Sequence, residues 1–509
     1  MLGALAASGF QPLALWPLTL LGVAGLIALT ARAPSWKQAA LLGWCFGVGH
    51  FTMGNTWIAT AFTYQAQMPG WLGWVAVVLL SFYLAVYPAL ATGAAWLARR
   101  SPPALVLAFG ASWIVSEWLR SWVFTGFAWN PLGVAMLGSY QWPALATIAP
   151  WLGTYALSGL TVLLAGGWWL ALRNRHPGWR KGALVSLPWL LMLQPGALPT
   201  SDPIKGTRFT LVQPDIRQEL LNDPATYEDQ LQKFARLSSE TSPGQPRLVL
   251  WPESSIPDYL RSGYPRRYYG WTYQGDPTEA RQRIGLIAAG VAGQNSILLA
   301  GTSDLELRDD KAVGGRNVVT ALDGIGMIHG SYAKSHLVPG GEYLPLRWLL
   351  EPLGAARLVP GDIDYWPGPG PQTLDLGAFG KVGIQICYEI IFSGQVVDRA
   401  HRPDFLFAPS NDGWFGAWGP PQHLAQARLR AIEEGLPVLR ATTTGISAVI
   451  DANGIVRQYV PRHVAGRLDG IVPAAHAPTL FARLGNLLPL GWAIALLGLS
   501  LVALRRRPR

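Results

Sequence analysis

The sequence predicts a multi-span helical membrane region joined to an α/β layered domain. Three observations lead to this prediction. Half of the 509 residues are hydrophobic and only 14% are charged, which is too little charge to wet the surface of a soluble protein. Residues 1–200 and 485–504 hold long apolar segments. The stretch between them alternates strand-like and helix-like patterns, as α/β domains do.

The apolar segments predict about seven N-terminal membrane helices and one C-terminal helix. A helix needs about 20 apolar residues to cross the hydrocarbon core, so the first and seventh segments are marginal, and whether residues 2–14 fully span stays open. No basic residue precedes Arg32, so the start is not expected to be a cleavable signal peptide. The predicted spans are 2–14, 15–31, 38–62, 70–98, 103–119, 146–172, 182–199 and 485–504.

Basic residues follow every second predicted span, and this pattern sets the orientation. The alternate loop around 65–69 carries no charge. The positive-inside rule makes the basic side cytoplasmic and places the domain at 201–484 outside. Because the basic residues lie in these loops, the net charge of +10 does not indicate nucleic-acid binding. The clusters are Arg32 and Lys37, Arg99 and Arg100, Arg173 to Lys181, and Arg505 to Arg509.

The apolar segments and the middle segment together divide the chain into three parts. These are helices at 1–200, an α/β domain at 201–484, and a last helix with a basic tail at 485–509. Turn residues at 359–372 predict an exposed loop. Helical patterns lie at 226–239 and 422–434. The candidate strands are 207–213, 247–251, 296–301, 381–387, 404–408 and 446–450.

Three separate motifs carry residues that could perform chemistry. Cys387 ends an apolar strand and is followed by Tyr388 and Glu389. Glu253 stands in Trp-Pro-Glu at another strand end, where the proline stops the ladder. Lys334 stands in Tyr-Ala-Lys-Ser-His-Leu-Val-Pro. Taken singly, Cys387 is more often a buried core thiol, Glu253 a carboxylate on a solvated loop and Lys334 a solvated lysine.

Taken together, the three residues supply a nucleophile, a base and a cation. A cysteine that attacks an acyl carbonyl needs a base to remove its proton and a positive group to hold the developing oxyanion. The second cysteine, Cys45, lies in an apolar span, so no disulfide scaffold is expected. We find no phosphate-binding glycine motif and no metal-ligand spacing, so we expect neither a metal nor another cofactor.

The ordered motifs WPE (251–253), YAKSHLVP (332–339), CYE (387–389) and NDGWFG (411–416) resemble the nitrilase superfamily. That superfamily is an αββα sandwich with a Glu-Lys-Cys triad. The flanking spans resemble the apolipoprotein N-acyltransferase branch. Glu117, Arg120 and Thr125-Gly126-Phe127 are similar to the membrane-arm motif of that branch.

This resemblance implies that Glu253 is the general base, Lys334 stabilises the tetrahedral intermediate and Cys387 carries an acyl thioester. The donor would be a phospholipid, typically phosphatidylethanolamine giving up its sn-1 chain. The acceptor would be the α-amino group of the diacylglyceryl-cysteine at the start of an apolipoprotein. Glu342, Tyr388 and Glu389 match family positions that would shape or support the site. Apart from the resemblance, Asn411 follows a strand and is expected to hold the cleft by turn hydrogen bonds, and Trp414 is expected to contact the acyl chain. The enzyme would be a monomer in the bacterial inner membrane, with its catalytic domain in the periplasm.

The proposed chemistry predicts an apolar path from the bilayer to Cys387. Moving one CH₂ into water costs about 0.8 kcal/mol, so a chain of about 16 carbons faces roughly 10 kcal/mol or more without such a path. Tryptophans and leucines of the membrane arm and of 414–418 are expected to line it. An interfacial aromatic belt without substrate contact explains the same residues equally well.

Two departures from the family pattern concern substrate contacts. Leu221 and Asn222 stand where the family often has Lys-Trp, and Gly340 replaces a phenylalanine. They put the details of a lid and the chain or acceptor preference in doubt. Two other functions stay open. A membrane-tethered amidase would release ammonia from water-soluble amides, and a non-catalytic transporter or scaffold would tolerate loss of Cys387.

Overall fold

The computed structural model describes residues 1–64, 69–173, 178–193, 206–239, 245–270, 272–292, 295–353, 357–358 and 363–505. Several residues used in the sequence argument lie outside these ranges: 65–68, Arg175, 194–205, 359–362, Arg506, Arg507 and Arg509. Within the described residues the helices are α1 (Leu2–Ala7), α2 (Trp16–Arg32), α3 (Trp36–Gly54), α4 (Ile58–Ala61), α5 (Leu72–Leu84), α6 (Val86–Trp96), α7 (Pro102–Arg120), α8 (Ala149–Leu152), α9 (Thr154–Arg173), α10 (Trp179–Met192), α11 (Tyr227–Ser238), α12 (Arg266–Tyr269), α13 (Pro277–Ala292), α14 (Arg347–Leu350), α15 (Gly419–Glu434), α16 (Leu480–Leu484) and α17 (Leu487–Arg505).

The strands of the described residues form two six-stranded sheets. The strands are β1 (Arg208–Gln213), β2 (Leu248–Leu250), β3 (Ile297–Arg308), β4 (Lys311–Asp323), β5 (Ile328–Ala333), β6 (Thr373–Asp375), β7 (Lys381–Ile384), β8 (Phe405–Ser410), β9 (Val438–Thr442), β10 (Ser447–Ile450), β11 (Val456–Val460) and β12 (Gly466–Ile471). The first sheet has the order β12-β1-β2-β3-β4-β5 and the second the order β11-β10-β9-β8-β7-β6. Strands β1, β2 and β3 of the first sheet and β7, β8 and β9 of the second run parallel, and the other pairings are antiparallel.

The two sheets share one hydrophobic core, and this arrangement confirms the αββα fold class. Leu248 and Leu250 of β2 belong to the same buried cluster as Ile384 of β7 and Phe407 of β8. Val249, between the two leucines, faces a separate cluster under α11 and α13. The alternation follows the period of two of a β-strand, so β2 is buried on both faces.

The N-terminal region is helical, as the sequence predicts. Within the part of the chain that the structure describes, four helical stretches are long and apolar enough to cross a membrane: 72–96, 102–120, 154–173 and 487–505. The other predicted spans hold α1, α2, α3 with α4, and α10, which are shorter or less apolar. The part of 2–14 that is helical is α1, and its six residues are about 9 Å long at 1.5 Å per residue, against the ~30 Å hydrocarbon core. The number of spans stays a prediction.

Helix α15 lies between the second sheet and the membrane helices. Leu424, Ala427 and Ala431 pack into the core between the sheets. Ala425 and Leu429, on the other face, pack into the core of the helical region. A helix that is buried all round must find partners for each polar side chain it carries. The polar residues of α15 therefore join the two regions.

Candidate active site

Three loops bring the predicted catalytic residues to one place between the sheets. Glu253 follows β2 after Pro252, Lys334 directly follows β5, and Cys387 lies three residues after β7. Gly301 of β3 permits this approach, because a Cβ at that position would lie 2.7 Å from the Cα of Glu253. All three side chains are buried, with 6% or less of each residue exposed.

Lys334 lies between two carboxylates. Its Nζ is 2.9 Å from Oε1 of Glu342 and 3.5 Å from Oε1 of Glu253. Burial lowers the pKa of Lys334, but the two carboxylates, Glu342 first, outweigh burial and raise that pKa above its usual value. The lysine is therefore a fixed positive charge that cannot act as a base at neutral pH.

Asn317, which the sequence analysis did not single out, joins the same two carboxylates. Its Nδ2 donates to Oε1 of Glu253 at 2.7 Å and to Oε1 of Glu342 at 3.1 Å. The backbone N–H of Asn411 donates to the other oxygen of Glu253 at 2.7 Å. Asn317 lies in the middle of β4, which is not among the candidate strands, so no motif indicates it.

Cys387 opens a short 3₁₀ turn, Cys387–Ile391, with a φ of +53°. A residue with a Cβ in this left-handed region is strained by about 1–2 kcal/mol, so its surroundings must hold it there. Burial and the Glu253 carboxylate raise the pKa of the Cys387 thiol, whereas Lys334 and a hydrogen bond from Ser410 lower it. Cys387 is thus electrostatically coupled to both Glu253 and Lys334.

The carboxylate of Glu389 ties the loop that carries Cys387 to the loop that carries Lys334. One oxygen accepts from the N–H of Ile386 at 2.7 Å. The other accepts from the hydroxyl of Tyr332 and from the N–H of Ser335, both at 2.7 Å. Burial raises the pKa of Glu389, and these donors oppose that effect. Glu389 therefore holds the Cys387 loop and the Lys334 loop together.

Tyr388 joins the site to the membrane arm that the sequence motif indicated. Its hydroxyl donates to the carbonyl of Gly126 at 3.2 Å. Gly126 has a φ of +71°, and a Cβ there would lie 2.3 Å from the carbonyl oxygen of Ser121. Arg120 donates to the carbonyls of Phe127 and Trp129 and so shapes the same arm.

Asn411 and Trp414 begin the loop between β8 and α15. The side chain of Asn411 caps its own turn, bonds Gln218 at 2.8 Å and accepts from Thr443 at 2.8 Å. Trp414 packs edge-on against Tyr64 at 5.8 Å between ring centroids. Asn411 therefore holds Glu253, whereas Trp414 contacts the helical region.

The departures from the family pattern lie at different places around the site. Leu221 is buried in the core under α11, and Asn222 is exposed. Gly340 has a φ of +75° and open space where a Cβ would point.

Among the described residues, no group of three or more His, Cys, Asp or Glu side chains could hold a metal ion.

The arrangement fits nucleophilic acyl chemistry. Transfer of the thiol proton to Glu253 exchanges one anion for another, so the buried site avoids two adjacent negative charges during activation. The fixed Lys334 ammonium stands beside both groups, where it can stabilise an oxyanion that forms on a carbonyl attacked by sulfur.

Comparisons with known proteins cover most of the chain. Residues 2–167 match the family described as apolipoprotein N-acyltransferase N-terminal domain, and residues 208–462 match the carbon-nitrogen hydrolase family. An apolipoprotein N-acyltransferase of Rhodopseudomonas palustris is 33% identical over 99% of this chain and 94% of its own length. One of Bradyrhizobium diazoefficiens is 34% identical over 99% and 94%. Among solved structures, a mutant amidase of Nesterenkonia from the nitrilase superfamily is 17% identical, covers 55% of this chain and 94% of the amidase, and has a TM-score of 0.36.

Proposed function

The chain belongs to the apolipoprotein N-acyltransferase family and is a membrane acyltransferase of lipoproteins, and we propose that it works through an acyl thioester on Cys387. The donor is a phospholipid, with phosphatidylethanolamine as the expected substrate. The acceptor is the α-amino group of a diacylglyceryl-cysteine. The protein acts as a monomer in the bacterial inner membrane, with its catalytic domain in the periplasm.

One observation carries this proposal: the Cys387 loop is bonded to the Lys334 loop on one side and to the membrane arm on the other. Glu389 bonds the N–H groups of Ile386 and Ser335, while Tyr388 reaches Gly126 of the arm. The arm also presents Phe124, whose side chain is 86% exposed. An exposed phenylalanine beside a membrane region fits contact with lipid. The apolar path expected for the acyl chain stays a prediction.

The first half-reaction transfers the acyl group to sulfur. Glu253 takes the thiol proton, the sulfur attacks the ester carbonyl, and Lys334 stabilises the oxyanion. The intermediate collapses with cleavage of the ester C–O bond. Glu253 then gives its proton to the leaving glycerol oxygen, so the products are the thioester and a lysophospholipid.

The second half-reaction transfers the acyl group from sulfur to nitrogen. The amine attacks the thioester carbonyl, the C–S bond breaks, and the amine proton returns to the sulfur through Glu253. A thioester conserves the acyl transfer potential, so no nucleotide is needed. Both steps use the same base and the same cation, which agrees with a single buried site.

Intact-mass analysis after incubation with phosphatidylethanolamine tests the proposal. We expect a mass increase of one acyl chain on Cys387, formed without acceptor and removed by a diacylglyceryl lipopeptide with a free N-terminus. A Cys387→Ala variant should form no adduct, and a Cys45→Ala variant serves as the matched control and should form it normally. Acyl transfer that persists in Cys387→Ala would refute the thioester.

A further inference from the structure

The backbone carbonyl of Cys387 is hydrogen-bonded by a histidine that no sequence motif indicated. Nε2 of His423 lies 3.0 Å from the backbone carbonyl oxygen of Cys387. His423 lies in the first turns of α15 and none of its surface is exposed. A carbonyl oxygen carries no proton, so Nε2 must be the donor in this bond.

The bond to the Cys387 carbonyl requires a proton on Nε2 whether the ring is neutral or charged. The other ring nitrogen, Nδ1, lies 3.2 Å from Nη2 of Arg440, which can only donate, and 3.4 Å from Oδ1 of Asp412, which can only accept. Burial and Arg440 lower the pKa of His423 more than Asp412 raises it, which favours the neutral ring. In that ring Nδ1 accepts from Arg440, and Asp412 acts on the ring through its ion pair with Arg440.

Asp412 and Arg440 fix the ring in place. Oδ2 of Asp412 is 2.6 Å from Nη2 of Arg440, and Ser410 donates to Oδ1 at 2.7 Å. Burial acts to raise the pKa of Asp412, but Arg440 outweighs burial and holds that pKa below its usual value, so the pair stays charged. The ring also packs against Trp129 and Phe415, at 5.3 and 5.4 Å between centroids.

This support acts on the peptide group that joins Cys387 to Tyr388. The group is planar and trans, so its C=O and N–H point in opposite directions. Holding the carbonyl against His423 therefore sets the direction of the Tyr388 N–H. It also stabilises the positive φ from which the thiol is presented.

We propose that His423 is a positioning residue: its Nε2–H fixes the Cys387–Tyr388 peptide group in the orientation needed for acylation of the thiol. The inference rests on the proposed role of Cys387 as the nucleophile. It assigns to His423 no contact with substrate and no proton transfer. Its loss should therefore slow acylation and leave the apparent KM for phospholipid unchanged.

Two polar substitutions separate this role from general packing. In His423→Gln the amide nitrogen stands four bonds from Cα, as Nε2 does, so it can reach the Cys387 carbonyl. In His423→Asn the amide nitrogen stands only three bonds from Cα, so it does not reach the Cys387 carbonyl. We expect the Gln variant to acylate Cys387 within about threefold of the unmodified protein, and the Asn variant to be slower by about tenfold or more.

The measurement is the single-turnover rate of the acyl adduct on Cys387, followed by intact mass at several phosphatidylethanolamine concentrations. Gln426→Leu is the control, because Gln426 lies one turn along α15 and its side chain bonds the N–H of Asn130 and the carbonyl of Gln422. It should lower thermal stability while leaving the rate constant within about threefold. Thermal unfolding of every variant reports folding independently.

The outcomes are distinct. Equal rates for the Gln and Asn variants, or a slower rate that comes only from a higher KM, would overturn the role of His423. Failure of the unmodified protein to form any adduct on Cys387 would instead overturn the proposed function. A fast Gln variant beside a slow Asn variant of similar melting temperature would support the inference.

Discussion

At the scale of single residues, the environment of Cys387 favours the thiol over the thiolate. Burial and the Glu253 carboxylate raise its pKa, and Lys334 and Ser410 oppose them. A permanently ionised thiol would place a second anion beside Glu253 in a buried site. The structure instead fits a proton that leaves sulfur only as sulfur attacks the carbonyl.

This balance predicts opposite effects of one substitution on two reactions of Cys387. Glu253→Gln removes the negative charge that raises the pKa of the thiol, so alkylation by iodoacetamide at pH 8 should become several times faster. Acyl transfer should fall by about 10²–10⁴-fold, because the base is lost. The test is done in a Cys45→Ala background with Glu279→Gln, an exposed carboxylate, as control. Slower alkylation in Glu253→Gln would contradict the electrostatic argument.

The raised pKa of Glu434, at the end of α15, predicts that the free energy of unfolding depends on pH. Burial, with a contribution from Glu433, raises the pKa of Glu434 to about 7. A carboxyl group whose pKa is higher in the folded state destabilises the protein when ionised. The cost is absent below its unfolded value near 4.5, grows between pH 4.5 and 7, and reaches about 3 kcal/mol above pH 7.

Glu434→Gln should therefore stabilise the protein at pH 8 and have little effect at pH 4.5. Melting temperatures of both proteins measured from pH 4.5 to 8.5 give the difference directly. Glu279→Gln should show no such trend. A difference that is constant with pH would show that Glu434 is not protonated in the folded protein near neutral pH.

At the scale of elements, α15 explains what the sequence could and could not predict. The pattern at 422–434 predicts the helix, and the structure extends it to Gly419–Glu434. On this helix the sequence predicts that Arg428 and Glu433 form a packed ion pair or a solvated face rather than contact a substrate. Glu433 does form a buried pair at 2.7 Å, but with Arg430. Arg428 instead bonds backbone carbonyls of distant segments, which no local pattern reveals.

The strands show the same limit. Each candidate strand appears, but β4, β5, β6, β9, β11 and β12 have no counterpart among the candidates. In β4 and β5 the reason is that the Gly-Gly of β4 and the polar residues of β5 hide the period of two. Cys387 was expected at the end of a strand, whereas β7 ends at Ile384 and Cys387 lies in a turn. Motifs therefore pointed to Glu253, Lys334 and Cys387. The residues that hold them, Asn317 and His423, became visible only when separate elements were brought together.

The contacts of Arg428 allow a prediction of how strongly α15 joins the α/β domain to the helical region. It donates to the carbonyl of Gly454 at 2.8 Å, to that of Gly138 at 3.0 Å, and to that of Ser139. Arg428→Met leaves these three acceptors without their donor, and each costs about 1–3 kcal/mol. We expect a loss of about 3 kcal/mol or more, read as a clear drop in melting temperature. Arg236→Met, an exposed arginine of α11, should change little; a similar loss there would contradict the argument.

At the scale of the whole molecule, contacts between helix ends bring basic residues from separate parts of the chain to one end of the helical region. Nε1 of Trp96 donates to the carbonyl of Ala33 at 2.7 Å, which places the ends of α2 and α6 together. The hydroxyl of Ser101 is 3.4 Å from the carbonyl of Ala503, which brings the end of α17 to the same place. Arg32 with Lys37, Arg99 with Arg100, and Arg505, which are far apart in sequence, thus lie at one end of the helical region. The positive-inside rule predicts that this end faces the cytoplasm.

This convergence predicts which surfaces a membrane-impermeant reagent reaches in intact cells with a permeabilised outer membrane. In a Cys45→Ala background, Glu279→Cys on the catalytic domain should react with an impermeant maleimide directly. Arg100→Cys, between α6 and α7, should react only after the inner membrane is opened. Acyl transfer activity of each variant verifies that the protein is folded. Labelling of Arg100→Cys in intact cells together with protection of Glu279→Cys would reverse the orientation, and the catalytic domain would then lie on the cytoplasmic side.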